Sequence, residues 1–258
     1  MDVWEAVHHG RRCGQITTAM LHDLSSFHDL LEPALLALNE RARWRLCQSE
    51  EHVITTGMAE RTIYVVLHGV VRVGGVGPDG REIACFFLGP GDVLDVVGMP
   101  AALVDIAYAR AMVSDAMVIA IPGERFRQVA HEQLSLATAL LDQWRQRLYE
   151  TAVLLADCLY AGSVVRYGHL LGKLGLLYPD QRITATHEEI AGLGGMSRAG
   201  LEKALPQFKA AGYVQYEYGE SGITVLDAES LLHIEDRIEG VRRTTQESCV
   251  VRGRKRAS

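Results

Sequence analysis

From Leu134 to Cys158 the apolar positions recur at alternating steps of three and four: Leu134, Ala137, Leu141, Trp144, Leu148, Thr151, Leu155 and Cys158. That period predicts one long helix with a heptad seam. A seam of nearly four heptads calls for a partner of the same shape, so these eight positions are read as the interface of a parallel homodimer. The alternative is that the helix packs only on its own β domain. Trp144 is large and Thr151 polar for such a seam.

Ahead of the helix the period is two. Ile63–Val73 is β-rich and broken by Gly69, Glu82–Leu88 is a second strand, and Ala107–Val113 and Ala116–Ile121 are two more. Gly77-Pro78-Asp79-Gly80 and Gly89-Pro90-Gly91-Asp92 read as turns. Short strands at this spacing predict an antiparallel β-barrel of jelly-roll type. Residues 1–23 carry no clear period and are read as an irregular arm. Phe27, Leu30, Leu31, Leu35, Leu38 and Trp44 suggest short helices. After the long helix, 162–177 is helical, and its Gly168, Gly172 and Gly175 each cost roughly 1 kcal/mol against alanine, an expense explained by close helix packing.

Ile183–Val225 carries the clearest local signals. Thr186 caps a short helix with Glu188 and Glu189 in its first turn. Gly192, Gly194 and Gly195 mark a tight corner. Ser197 caps a second helix over 198–211, which Gly212 stops. Leu201, Leu205 and Phe208 form its buried face; Arg198, Ala199, Glu202 and Lys203 lie on or near the open one. Val214, Tyr216, Tyr218, Ile223 and Val225 then alternate as a hairpin. Helix, turn, helix and hairpin make a winged helix-turn-helix whose second helix is shaped for a DNA major groove. An αα-hairpin that binds nothing is the alternative. Pro206 removes a donor from that helix at about 3 kcal/mol and predicts a bend without loss of the helix. Asp227–Arg243 reads as a final amphipathic helix.

The fold class is therefore α+β: arm 1–23, β-barrel 24–131, dimerisation helix 132–161, and a winged domain with a basic tail over 162–258. A length of 258 residues accommodates two domains. The net charge of −6 looks wrong for a DNA binder, but it is unevenly spread. Residues 1–159 hold 13 Lys+Arg against 20 Asp+Glu, net −7, whereas 160–258 hold 13 against 12, net +1. Local charge governs phosphate affinity. No apolar run of membrane-spanning length occurs and no hydrophobic leader follows the N-terminal residues. The five cysteines are scattered and never spaced C-x-x-C, which points to a reducing cytoplasm and away from disulfides or zinc. No metal or cofactor is expected. The ten histidines form no barrel-strand H-x-H or H-x-D/E, and Gly75-x-Gly77-x-x-Gly80 joins two strands and opens no helix, so an enzyme is not expected.

The order of these parts, with Ile63-Tyr64-Val65-Val66-Leu67-x-Gly69, Gly80-Arg81-Glu82, Gly89-x-Gly91-Asp92 and Glu189-Ile190-Ala191-Gly192-x-Gly194-Gly195-Met196-Ser197-Arg198, resembles the family of the cyclic-AMP receptor protein and the fumarate and nitrate reduction regulator. The likeness runs from about Val53 to Val225. It implies a dimeric transcription regulator whose barrel senses a signal, with double-stranded DNA of inverted-repeat form, a second copy and RNA polymerase as partners, and with a small-molecule effector.

It also implies ligands this chain lacks. Val96 stands near the family's nucleotide-binding Glu, and Asp105-Ile106 where its phosphate-holding Arg-Ser would be; Thr151 alone matches, at the purine-facing threonine. Asp95 and Val97 replace the Cys and His of haem-binding members, and Cys13 stands without the cysteine cluster of iron-sulfur members. A barrel not responsive to cyclic AMP is expected, with Asp95, Asp105, Tyr108, Arg110, Trp144, Tyr149 and Thr151 as candidate pocket residues for an uncharged or cationic effector. The alternatives are no effector, a redox response through Cys158, or a winged-helix scaffold that binds protein. For DNA, Arg198 matches the family's second recognition-helix position and would fork guanine. Ala199 replaces a cytosine-reading glutamate, Lys203 would reach a base or a phosphate, and Thr186 and Ser197 would cap helices and touch phosphates.

Overall fold

The computed structural model describes residues 12–54, 62–76, 82–94, 107–112, 115–178, 180, 182–217 and 222–234. It divides into two compact units, Met1–Leu154 and Leu155–Ser258.

Among its described residues the first unit has eight strands: β1 (Cys13–Gln15), β2 (Arg43–Cys47), β3 (Thr62–His68), β4 (Val71–Val76), β5 (Glu82–Leu88), β6 (Val93–Leu94), β7 (Ala107–Ala111) and β8 (Ala116–Pro122). The expected barrel does not close among the described residues. Among the described residues the strands form two open antiparallel sheets, ordered β1-β2-β8-β3-β6 and β5-β4-β7. The burial pattern explains why. Along β3 and β8, Ile63, Val65, Met117, Ile119 and Ile121 face one core, while Tyr64, Val66, Ala116 and Val118 face another. Successive side chains of a strand point to opposite faces, so the five-stranded sheet is apolar on both.

One face meets the three-stranded sheet through Val71, Leu88, Ala109 and Ala111. The other is covered by helices α1 (Thr18–His22), α2 (Glu32–Asn39) and α3 (Gly123–Glu132), which contribute Leu21, Leu35, Leu38, Phe126 and Val129. Each such side chain contributes roughly 1.5–3 kcal/mol when fully buried. The result is three layers, helices on sheet on sheet. Gly69, at φ +78°, hands the chain from one sheet to the other; a Cβ there would also meet the Asp115 carbonyl at 2.7 Å.

The stretch without a period is ordered in part, as β1 and α1. Trp44, grouped with helix-forming residues on sequence, sits in β2, buried to 2% exposure over Gly14. It pairs across to Ile119. Its cross-strand partner, which local sequence does not show, decides its state.

The long helix, α4, spans Leu134–Tyr160 as its period predicts. Among its described residues the second unit holds the end of α4 from Leu155, then α5 (Ser163–Leu177), β9 (Arg182–Ile183), α6 (His187–Leu193), α7 (Arg198–Ala210), β10 (Val214–Gln215), β11 (Ile223–Val225) and α8 (Ala228–Leu232). α5 is its hub. A Cβ on Gly172 would lie 2.9 Å from the Ala228 carbonyl, and one on Gly175 2.7 Å from Val225 Cβ, so these glycines allow α8 and β11 to close on α5. The wing is a three-stranded sheet, β10-β11-β9, one strand more than a hairpin. The final helix is described only through α8, and the rest of Asp227–Arg243 lies outside the described residues. No helix among the described residues is long and apolar enough to cross a membrane.

Candidate nucleic-acid interface

The α6–turn–α7 segment is fixed at both helix starts. Thr186 Oγ1 accepts from the Glu189 amide at 3.2 Å, and Glu189 Oε2 accepts from the Thr186 amide at 2.7 Å, a reciprocal capping box. Ser197 Oγ accepts from the Gly200 amide at 3.2 Å. Gly195 takes φ +61° between the helices, a conformation costly for any residue with a Cβ. Two residues of α5 that the sequence reading missed hold the corner from behind. Arg166 Nη2 donates to the Gly194 carbonyl at 3.0 Å, and Tyr167 Oη donates to the Ser197 carbonyl at 2.5 Å. Gly200 is what allows the tyrosine in, because a Cβ there would stand 2.7 Å from its hydroxyl. The sequence signal was a glycine three residues after a cap, in a helix that had no evident use for one.

α7 buries Leu201, Ala204, Leu205 and Phe208 and exposes Arg198, Ala199, Glu202, Lys203 and Pro206. The helix continues through Pro206 to Ala210; the ring sits on the exposed side, where a carbonyl deprived of its donor can turn to water. Arg198 Nε donates to Glu202 Oε1 at 2.8 Å. Lys209 Nζ lies 4.8 Å over the Tyr216 ring and donates to its carbonyl at 2.9 Å, tying the end of α7 to the base of the wing. Thr186, Ser197, Arg198, Ala199, Glu202 and Lys203 are all exposed. One surface thus carries helix N-termini, a guanidinium and an ammonium, groups suited to phosphate and base edges.

The seven effector candidates fall in different settings. Tyr108 is buried, its ring flanked by the guanidiniums of Arg72 at 5.4 Å and Arg110 at 5.5 Å. Arg110 Nε also donates to His52 Nε2 at 3.1 Å, and Glu50 pairs with Arg72. This cluster lies on the face of β4 and β7 opposite Val71, Val73, Ala109 and Ala111, whose side chains line the core. Trp144, Tyr149 and Thr151 stand exposed on α4, the Thr151 hydroxyl donating to the Arg147 carbonyl one turn back at 2.8 Å. Asp95 and Asp105, like Val96, Val97 and Ile106, lie outside the described residues.

A polar network not foreseen from sequence joins α4 to the Gly89–Asp92 turn. Arg147 Nη2 is 2.5 Å from Asp92 Oδ2, and its Nη1 is 3.1 Å from Glu150. Asp92 also accepts from the Gly89 amide at 2.8 Å. Gln143, one turn before Arg147, accepts from the Val93 amide at 3.0 Å and donates to the Gly91 carbonyl at 3.1 Å. Burial pushes the Asp92 carboxyl above its ordinary range, against the pull of Arg147. Arg147 and Asp92 are 13% and 18% exposed, so solvent screens the pair little. The sequence cue was Asp92 in a glycine turn with Gln143 and Arg147 four apart on one helix face.

The opposite stripe of α4 is bare. Leu134, Leu141, Trp144, Leu148, Leu155 and Leu159 are each more than half exposed, and Leu136 is the one residue of the helix that is buried. Cys158 is a free, exposed thiol on the same helix. Among the described residues no three His, Cys, Asp or Glu side chains gather as a metal site.

Residues 44–133 match the family pattern of the cyclic nucleotide-binding domain, and residues 165–234 that of the Crp-like helix-turn-helix domain. The CRP-like cAMP-activated global transcriptional regulator of Mycobacterium tuberculosis is 27% identical over 188 residues, 69% of this chain and 82% of that protein. The transcriptional regulator LdrP of Thermus thermophilus is 28% identical over 173 residues, 66% of this chain and 86% of that one. Among solved structures, a regulator of the Crp/Fnr family from Eubacterium rectale superposes with a TM-score of 0.60 at 18% identity, covering 83% of this chain and 98% of the other.

Proposed function

The chain belongs to the CRP/FNR family of transcription regulators, and from that premise we propose that it works as a homodimer, joined along α4, that reads an inverted-repeat operator with its two α7 helices. The observation that carries this reading is the bare leucine stripe of α4. An amphipathic helix exposing that much apolar surface is incomplete without a second one. A two-fold dimer wants half-sites about one helical turn apart, roughly 34 Å. Arg198 reads guanine in each half-site, Lys203 adds a base or phosphate contact, and Thr186 and Ser197 lie along the backbone. RNA polymerase is the further partner the family supplies.

The mycobacterial relative is named as activated by cAMP. We read this chain differently. An acid, Asp105, stands where the family holds the cyclic phosphate with arginine, and like charges repel there. The exposed Thr151 turns its hydroxyl back to its own helix. The sheet unit therefore takes an uncharged or cationic effector or none.

Gel shifts with promoter duplexes at graded salt test the DNA reading. Arg198→Ala should relax preference at one base of each half-site, and Lys203→Ala should flatten the salt slope by about one unit. Unchanged affinity and preference in Arg198→Ala would contradict the docking. Clear thermal stabilisation by cyclic AMP, abolished in Thr151→Ala, would contradict the effector reading.

A further inference from the structure

Arg198 does not stand alone on the recognition face. Its Nε lies 2.8 Å from Glu202 Oε1, and Nδ1 of His187, from α6, lies 3.9 Å from the same oxygen. The His187 ring meets Tyr216 edge to face at 6.2 Å, and Lys209 covers that tyrosine. A line of contacts thus runs from the base of the wing, across α6, to the first residue of α7. The hydrogen bond from Arg198 also holds the Glu202 carboxyl below its ordinary range.

Helix stability does not explain the pair. Arg198 occupies the first helical position, where the macrodipole disfavours a cation. An arginine four residues before a glutamate is the weaker orientation of such a pair. At 61% and 45% exposure the two side chains contribute little to folding. For DNA binding a carboxylate on this face is a liability, because it repels phosphate. What it does supply is aim. A long cationic side chain loses rotamer freedom when it makes a bidentate contact, and one already aligned loses less. The glutamate takes the inner, Nε side of the guanidinium; the outer fork, Nη1 and Nη2, is the edge that matches O6 and N7 of guanine end-on.

We propose that Glu202 is a positioning residue for base reading, aiming Arg198 at guanine and trading general affinity for selectivity. This rests on the DNA-reading function proposed above. It assigns Glu202 no base of its own.

The test uses the 258-residue chain. A randomised duplex library yields its preferred duplex, and anisotropy then measures affinity for that duplex, for single-base changes in it and for an unrelated duplex. Arg198→Ala identifies the base that Arg198 reads. Glu202→Ala and Glu202→Asp, which remove or shorten the contact, should reduce discrimination at that base by about threefold or more. Glu202→Gln keeps an acceptor of the same reach and should retain it. Glu202→Ala and Glu202→Gln should bind the unrelated duplex more tightly, and Glu202→Asp, which keeps the charge, should not. Full discrimination in Glu202→Asp and Glu202→Ala would overturn the proposal while leaving the DNA reading intact. So would a loss confined to a different base, which would make Glu202 a reader itself. No change in any preference in Arg198→Ala would overturn the reading beneath it.

Discussion

Helix α4 buries only Leu136 of its 27 residues, whereas α5, at 15 residues, buries nine. Both are rich in leucine. α5 finds its partners within the second unit, where glycines bring α8 and β11 against its backbone. α4 turns one side to the Gly89–Asp92 turn through Gln143 and Arg147, and its leucine stripe is left uncovered by its own chain. The difference separates a helix whose apolar side is covered by its own chain from one whose apolar side is not. It also separates kinds of damage: a change on α5 should unfold, and a change on the stripe of α4 should dissociate.

The largest expected effect is on the stripe. Leu141→Asp with Leu148→Asp places facing carboxylates along the seam. Operator affinity should fall about a hundredfold or more as two-site binding is lost, with sedimentation showing single chains that keep their circular dichroism. Next, Leu171→Ala on α5, at a fully buried position, should lower stability by about 2–5 kcal/mol in denaturant melts. Gly172→Ala, whose new methyl meets the Ala228 carbonyl, should cost about 1–3 kcal/mol in the same melts. If Gly172→Ala were neutral, the close approach of α5 and α8 would not matter to the fold.

The smallest effect concerns the inner side of α4. The Asp92 carboxyl is raised above 3.8 in the folded chain, so the folded state holds its proton more tightly than the unfolded one. Its contribution therefore favours the fold at low pH and is lost as pH climbs from that ordinary value through the raised one. Asp92→Asn should remove this component, and the difference between wild-type and variant melting temperatures should change across that window and stay flat above it.

The course of α4, strands β3 and β5 and both caps of the helix-turn-helix were legible because each is a local pattern of period, cap or turn. What escaped depends on residues distant in sequence. Whether short strands close into a barrel is decided by what covers their outer faces, and here Leu35, Leu38 and Phe126 cover one. Trp44 looked helical because its β partner, Ile119, lies 75 residues on. The Asp92–Arg147 pair spans 55 residues and carried only a weak cue in the glycine turn. The recognition surface was legible to the level of which residues face outward. Their coupling through Glu202 and His187, and the support from Arg166 and Tyr167, needed the fold.

The proposed dimer stands or falls on the pairing of α4 with a second α4. Sedimentation equilibrium of the 258-residue chain at micromolar concentration, alone and with an inverted-repeat duplex, decides this pairing. Twice the chain mass alone and two chains per duplex are expected. A single-chain mass, with no binding to any duplex at low salt, would contradict it.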